Sequence, residues 1–206
     1  YSTTANAKAQ KMKPELIADY ACETGEGPLW HPIEKRLYWA DIPPGKIFRY
    51  DPATGQHAQI IDAGEAIGGF TFQADGSLLL FMAKGRIAIW REGKPLENIV
   101  DEIPAVRESR FNDVIADPAG RVFCGTMPLG GERMGILYRL DTDGSLHVAL
   151  EDAGLSNGMG FTDDLKTFYH TDTRRRAITR YAYDLSNGAL SQPEVIVREG
   201  AQASGH

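Results

Sequence analysis

At 206 residues the chain is long enough to bury a sizeable core as one domain. Its 42% apolar and 24% charged content are those of an ordinary soluble globular protein, and a net charge of −6 without a long basic run argues against nucleic-acid binding through phosphates. No apolar run is long enough to span a bilayer, and the first thirteen residues lack the apolar core of a signal peptide, so the expectation is a cytoplasmic protein with no membrane partner. Cys22 and Cys124 form neither a disulfide framework nor a spaced zinc motif and are expected as buried free thiols.

The chain opens on a polar stretch, residues 1–14, that reads as a disordered tail, and a short apolar run at 15–19 reads as an outer strand. One pattern then recurs four times, over residues 27–41, 69–83, 113–127 and 158–172: short apolar run, polar turn, second apolar run. With Pro32, Ala74, Pro118 and Asp163 as equivalent turn positions, the spacings are 42, 44 and 45 residues. Each unit continues into further short runs separated by Asp/Asn/Gly clusters such as Asp51-Pro52-Ala53-Thr54-Gly55 and Asp184-Leu185-Ser186-Asn187-Gly188, which is tight-turn chemistry. Four short strands in a repeat of this length predict a propeller blade. No window carries a helical stripe, and residues 97–106 are broken by Pro104. The fold class is therefore all-β: a β-propeller of four-stranded blades over residues 15–199, about four blades in this chain, with 200–206 as a second disordered tail. Trp30, Trp39 and Trp90 are expected to pack between blades.

Six residues before the turn positions stand Glu26, Gly68, Asn112 and Asn157; nine residues after them stand Asp41, Ala83, Met127 and Asp172. The innermost strands of a propeller surround its channel, so Glu26, Asn112 and Asn157 are expected to converge at one mouth, with Asp41 and Asp172 on the rim. Such oxygens suit a hard divalent cation, Ca²⁺, Mg²⁺ or Mn²⁺, and carboxylates also accept Zn²⁺. The alternative is that each caps backbone amides at a turn or strand end. Of the five histidines only His170 falls near the rim; the others read as structural or surface residues. Ser156 lacks the Gly-x-Ser-x-Gly frame of a nucleophile elbow. Arg174-Arg175-Arg176 begins on the same rim, either as a solvated loop or as an attractor of anionic substrate.

Five segments in order carry a resemblance: Gly25-Glu26-Gly27-Pro28-Leu29-Trp30, Arg110-Phe111-Asn112-Asp113, Asp117-Pro118-Ala119-Gly120-Arg121 with Gly125-Thr126-Met127, Leu155-Ser156-Asn157-Gly158, and Phe168-Tyr169-His170-Thr171-Asp172. They resemble the senescence-marker-protein/gluconolactonase/regucalcin-like family of six-bladed propellers over roughly residues 15–199. The resemblance implies a divalent-metal-dependent lactonase, a gluconolactonase-like carboxylic ester hydrolase acting on a small-molecule sugar lactone. Ca²⁺ is the leading cofactor, with Zn²⁺, Mn²⁺ and Mg²⁺ as alternatives. By the same resemblance Glu26 and Asn157 are metal ligands. Arg110 and Asn112 contact substrate over the metal, Asn112 reaching the ion directly or through water. The metal polarises the lactone carbonyl and activates a water, while Arg110 meets ring hydroxyls or developing negative charge. The family's general base, an aspartate in a Pro-Asp-Gly motif one blade later, has no counterpart before His206, so the chain reads as C-terminally truncated, short of about two blades. A substrate-contacting glutamate of the family aligns with Gly130, and Glu132 is the nearby substitute. The rival readings are a noncatalytic calcium-binding or interaction propeller, an inactive fragment of the hydrolase, and aryl- or phosphoester hydrolysis on a related propeller.

Overall fold

A computed structural model describes residues 13–128 and 134–200. Blade 1 comprises β1 (Gly25–His31), β2 (Arg36–Asp41), β3 (Lys46–Asp51) and β4 (Gln56–Asp62); blade 2 comprises β5 (Ile67–Phe72), β6 (Leu78–Met82), β7 (Ile87–Trp90) and β8 (Glu97–Val100). Blade 3 is built from β9 (Phe111–Ala116), β10 (Val122–Thr126), β11 (Gly135–Leu140) and β12 (Leu146–Gly154), and blade 4 from β13 (Ser156–Phe161), β14 (Thr167–Asp172), β15 (Ala177–Asp184) and β16 (Ala189–Arg198). Each blade is a four-stranded antiparallel meander. The all-β propeller expectation holds. Among the described residues the helical content is one short 3₁₀ turn, Pro104–Val106.

The turns follow from their aspartates. Asp51, Asp75, Asp117, Asp143 and Asp184 each accept, through Oδ1, the amide two residues on, so the side chain closes the reversal itself. Between turns, alternate residues feed opposite faces, and both faces of a central blade are buried. In β6, Leu78, Leu80 and Met82 join Tyr38, Ile47 and Phe70 between blades 1 and 2. Leu79 and Phe81 of the same strand join Phe111, Val122 and Cys124 between blades 2 and 3. Phe123, one residue from those last two, points the other way, to Phe168 and Tyr183 of blade 4. The substantial contacts between blades run 1 to 2, 2 to 3 and 3 to 4, chiefly through the first strands, and none joins blade 1 to blade 4. The described residues form an open arc around an axis lined by β1, β5, β9 and β13.

Three expectations change. Residues 15–19 have no strand; this segment runs irregularly until Tyr20 stacks on Phe48 at 4.2 Å, covering the outer face of blade 1. Trp90 packs against the core between blades 1 and 2 as expected, but Trp39 stacks on Phe48 at 5.4 Å beside Tyr20, and Trp30 is 51% exposed. Cys124 is buried, whereas Cys22 is only partly so; both are free. The two expected tails fall largely outside the described residues.

Candidate functional site

The polar position found by counting is the second residue of each blade's first strand: Glu26, Gly68, Asn112 and Asn157. Each lies beside a β-bulge. The register slips between Glu26 and Leu29, between Ile67 and Gly69, opposite Asn112, and between Asn157 and Met159. A bulge leaves a residue out of the ladder and re-aims its side chain, which is how a strand buried by period-2 packing presents polar groups to the axis.

Glu26, Asn112 and Asp113 line one cavity of about 70 Å³ among the first strands of blades 1, 2 and 3, walled by Leu29, Phe70 and Val114. Blade 2 contributes Gly68 because nothing larger fits: a Cβ there would lie 1.8 Å from the carbonyl oxygen of Phe111. Its absent side chain lets the backbone of β5 sit against β9. Asn112 is buried, and both ends of its amide are committed: Nδ2 donates to the Ser156 carbonyl at 2.9 Å, and Oδ1 accepts from Arg110 Nη1 at 2.9 Å. The same Nη1 donates to the Phe111 carbonyl at 2.9 Å. Burial pulls the Arg110 guanidinium below its ordinary pKa, opposed by the negative charge of Glu26.

Asp113 is the residue that one-per-blade counting missed. Its Oδ1 accepts the Val114 amide at 2.8 Å, and the Gly158 amide of the next blade also bonds to this carboxylate. Burial holds its pKa above the usual carboxylate range; the two amides pull it down, and Glu26 adds to the rise. The carboxylate directly after the recurring polar position, in Asn112-Asp113, is the signal in the sequence that could have found it. Asn112 and Asp113 together grip the two residues that flank Asn157, Ser156 through its carbonyl and Gly158 through its amide.

The rim residues have other partners. Asp41 accepts the amides of Glu23 and Thr24 at 3.2 and 2.8 Å, and Asp172 accepts those of Leu155 and Arg175 at 3.1 Å. Each carboxylate thus ties the end of a second strand to the segment entering or leaving its sheet. Arg175, central in the arginine run, pairs with Asp152 at 2.6 Å and Asp172 at 2.8 Å. His170 is buried, its Nε2 lying 3.0 Å from Ser156 Oγ. Gly130 and Glu132 lie outside the described residues.

Among the described residues no three His, Cys, Asp or Glu side chains form a ready metal cluster. What the cavity does contain is two carboxylates whose charges oppose each other, Glu26 exposed on β1 and Asp113 partly buried on β9, with the Asn112 amide beside them; Asn157 is not among its lining residues. That donor set is oxygen-only and suits a hard cation, which would relieve the repulsion.

The pattern describing the SMP-30/Gluconolactonase/LRE-like region matches residues 24–205. The chain belongs to the SMP-30/gluconolactonase/LRE-like family. Within it, the chain is 51% identical over 188 residues to pentonolactonase XacC of Haloferax volcanii, covering 90% of this chain and 62% of that protein. It is 29% identical over 187 residues to human regucalcin, covering 87% and 62% respectively. Among solved structures, a luciferin-regenerating enzyme superposes with a TM-score of 0.77 at 26% identity, over 84% of this chain and 60% of the other. A regucalcin from Agrobacterium tumefaciens superposes at 0.73 with 21% identity, covering 83% and 58%, and so speaks for the fold alone. The chain spans just over three-fifths of the length of the curated relatives it matches.

Proposed function

We propose that this SMP-30/gluconolactonase/LRE-like chain carries the site of a divalent-metal-dependent hydrolase that opens sugar lactones, with five-carbon aldonolactones as the first class to assay. The observation that carries the reading is the convergence of Glu26, Asn112 and Asp113 from two different blades on one small cavity on the propeller axis. Membership of the family and 51% identity to a protein named a pentonolactonase support the substrate class.

In this reading Glu26 and Asn157 hold the cation, with Asp113 adding charge and holding the Gly158 amide so that Asn157 keeps its place. A bound divalent cation supplies Lewis acidity toward the lactone carbonyl and lowers the pKa of water beside it. Arg110, fixed through Nη1 to Phe111 and Asn112, keeps its remaining N–H groups for ring hydroxyls and for the negative charge that develops on the carbonyl oxygen. Asn112, locked at both ends, orients that guanidinium and needs no rearrangement as charge develops.

Lactone opening releases an acid, so a pH-indicator assay with Ca²⁺, Zn²⁺ or Mn²⁺ reads the activity directly against the uncatalysed rate. Turnover lost together with metal affinity in Glu26→Gln and Asn157→Ala, by about 100-fold or more, is the expected result. Metal binding without turnover of any lactone would favour a noncatalytic calcium-binding or interaction propeller. Unchanged turnover in both variants would remove these residues from the site.

A further inference from the structure

We infer that the buried Ser156–His170 pair is a positioning post for the site, setting where blade 4 presents the Ser156 carbonyl to Asn112 and where Asn157 stands; this inference rests on the lactone-hydrolase reading. Neither residue touches the cavity, and Ser156 is wholly buried, so neither is a nucleophile or a ligand. Their importance comes from what the bulge removes. In β13 the ladder to β14 pairs Ser156 with Asp172 and Asn157 with Thr171, then slips before Met159 pairs with His170. A segment that has lost regular ladder pairing must be held by side chains.

The side chains that hold it come from both flanks. From blade 3, Asp113 bonds the Gly158 amide and Asn112 Nδ2 bonds the Ser156 carbonyl. From within blade 4, His170 Nε2 meets Ser156 Oγ at 3.0 Å. Behind Ser156 lies Gly125 of β10, where a Cβ would fall 2.1 Å from Ser156 Cβ. The Ser156 side chain is therefore wedged between a bare backbone and an imidazole, and its depth fixes its own carbonyl. The polar path then runs His170, Ser156, Asn112, Arg110 without a gap, from the second strand of blade 4 to the cavity in front of blade 3. Burial pushes the His170 pKa down to about 4, so the ring stays neutral near pH 7 and its hydrogen bond to the hydroxyl persists there.

The test compares Ser156→Ala, His170→Ala and His170→Gln, the last keeping an amide nitrogen near the position of Nε2. Tyr183→Phe, remote from the cavity, serves as a stability control. Two readouts are taken: the side-chain amide signals of Asn112 and Asn157 in ¹H–¹⁵N spectra, and kcat and KM for lactone opening. Ser156→Ala and His170→Ala are expected to shift both amide signals and to lower kcat about tenfold with little change in KM. His170→Gln is expected to restore most of both effects, and Tyr183→Phe to move neither. Unmoved amide signals in the two alanine variants, equal movement in the control, or moved signals with unchanged kcat would overturn the positioning role. If the unsubstituted protein opens no lactone, the proposed function fails, and the amide signals still decide whether the post positions these asparagines.

Discussion

At the scale of single residues, His170 links the site to pH. Its folded pKa of about 4 lies below the ordinary value of 6.5 because burial penalises the cation; Asp172 pulls the other way, and Arg175 repels the cation a little further. Between those two pH values the unfolded chain binds a proton that the folded one refuses. The neutral, buried ring therefore contributes stability that is fully present above pH 6.5 and is lost as pH falls through about 4. The magnitude is about 3 kcal/mol. Urea midpoints measured at pH 7 and pH 4.5 should fall less in His170→Gln than in the unsubstituted protein. An equal fall in both would mean that other groups drive the acid loss. Asp41 and Asp172 teach a complementary point: a carboxylate at a recurring offset was equally compatible with a ligand and with a strand cap, and the amides they accept are invisible in a linear sequence.

At the scale of strands, the blade is a repeat whose information lies in two devices, the aspartate turn and the bulge. The first was legible. Turn clusters such as Asp75-Gly76-Ser77 and Asp117-Pro118-Ala119-Gly120 are local chemistry, so the spacing of turns predicted four-stranded blades and a polar residue near the start of the inner strands. The second was not. A bulge adds one residue on one strand and reverses every later side chain, so the extra residue can be identified only from the partner strand. That is why Asp113, adjacent to the bulged Asn112, escaped the count; Trp30 is exposed because its neighbours Leu29 and His31 face blade 2 and it points the other way. Gly68 tests the device directly. Gly68→Ala would force a Cβ onto the Phe111 carbonyl, which is backbone and has little freedom to yield. The expected cost is about 2 kcal/mol or more, with metal affinity falling as Asn112 is displaced. Wild-type stability and affinity in that variant would show that β5 is free to retreat from β9.

At the scale of the whole molecule, blades 3 and 4 are joined by a buried ionic clasp away from the cavity. Asp117 Oδ2 pairs with Arg121 Nε at 2.6 Å and accepts from Tyr183 Oη at 2.6 Å, while Arg121 Nη2 donates to the Leu185 carbonyl at 2.6 Å. Burial, then the hydrogen bond that the Tyr183 hydroxyl donates to Asp117 and the charge of that carboxylate, push its pKa up to about 12. Removing one partner strands a charge in the core, so Arg121→Met should cost about 3–5 kcal/mol. The double variant Asp117→Asn/Arg121→Met keeps an acceptor for the turn amides and carries no lone charge, so it should cost less than the single change. Denaturation midpoints of the three proteins decide the point; a double variant worse than the single would mean that the clasp is net stabilising beyond its desolvation.

The open arc has a thermodynamic consequence. Among the described residues no substantial contact joins blade 1 to blade 4, so these four sheets are coupled as a row, each supported chiefly by its nearest neighbours. The inner two have two couplings each, and the outer two have one. Cooperativity should then decay from the middle outward: amides of β16 exchange with solvent first, and those of β6 and β10, fully buried along their length, exchange last. Uniform protection across the sixteen described strands would show instead that the arc melts as one unit.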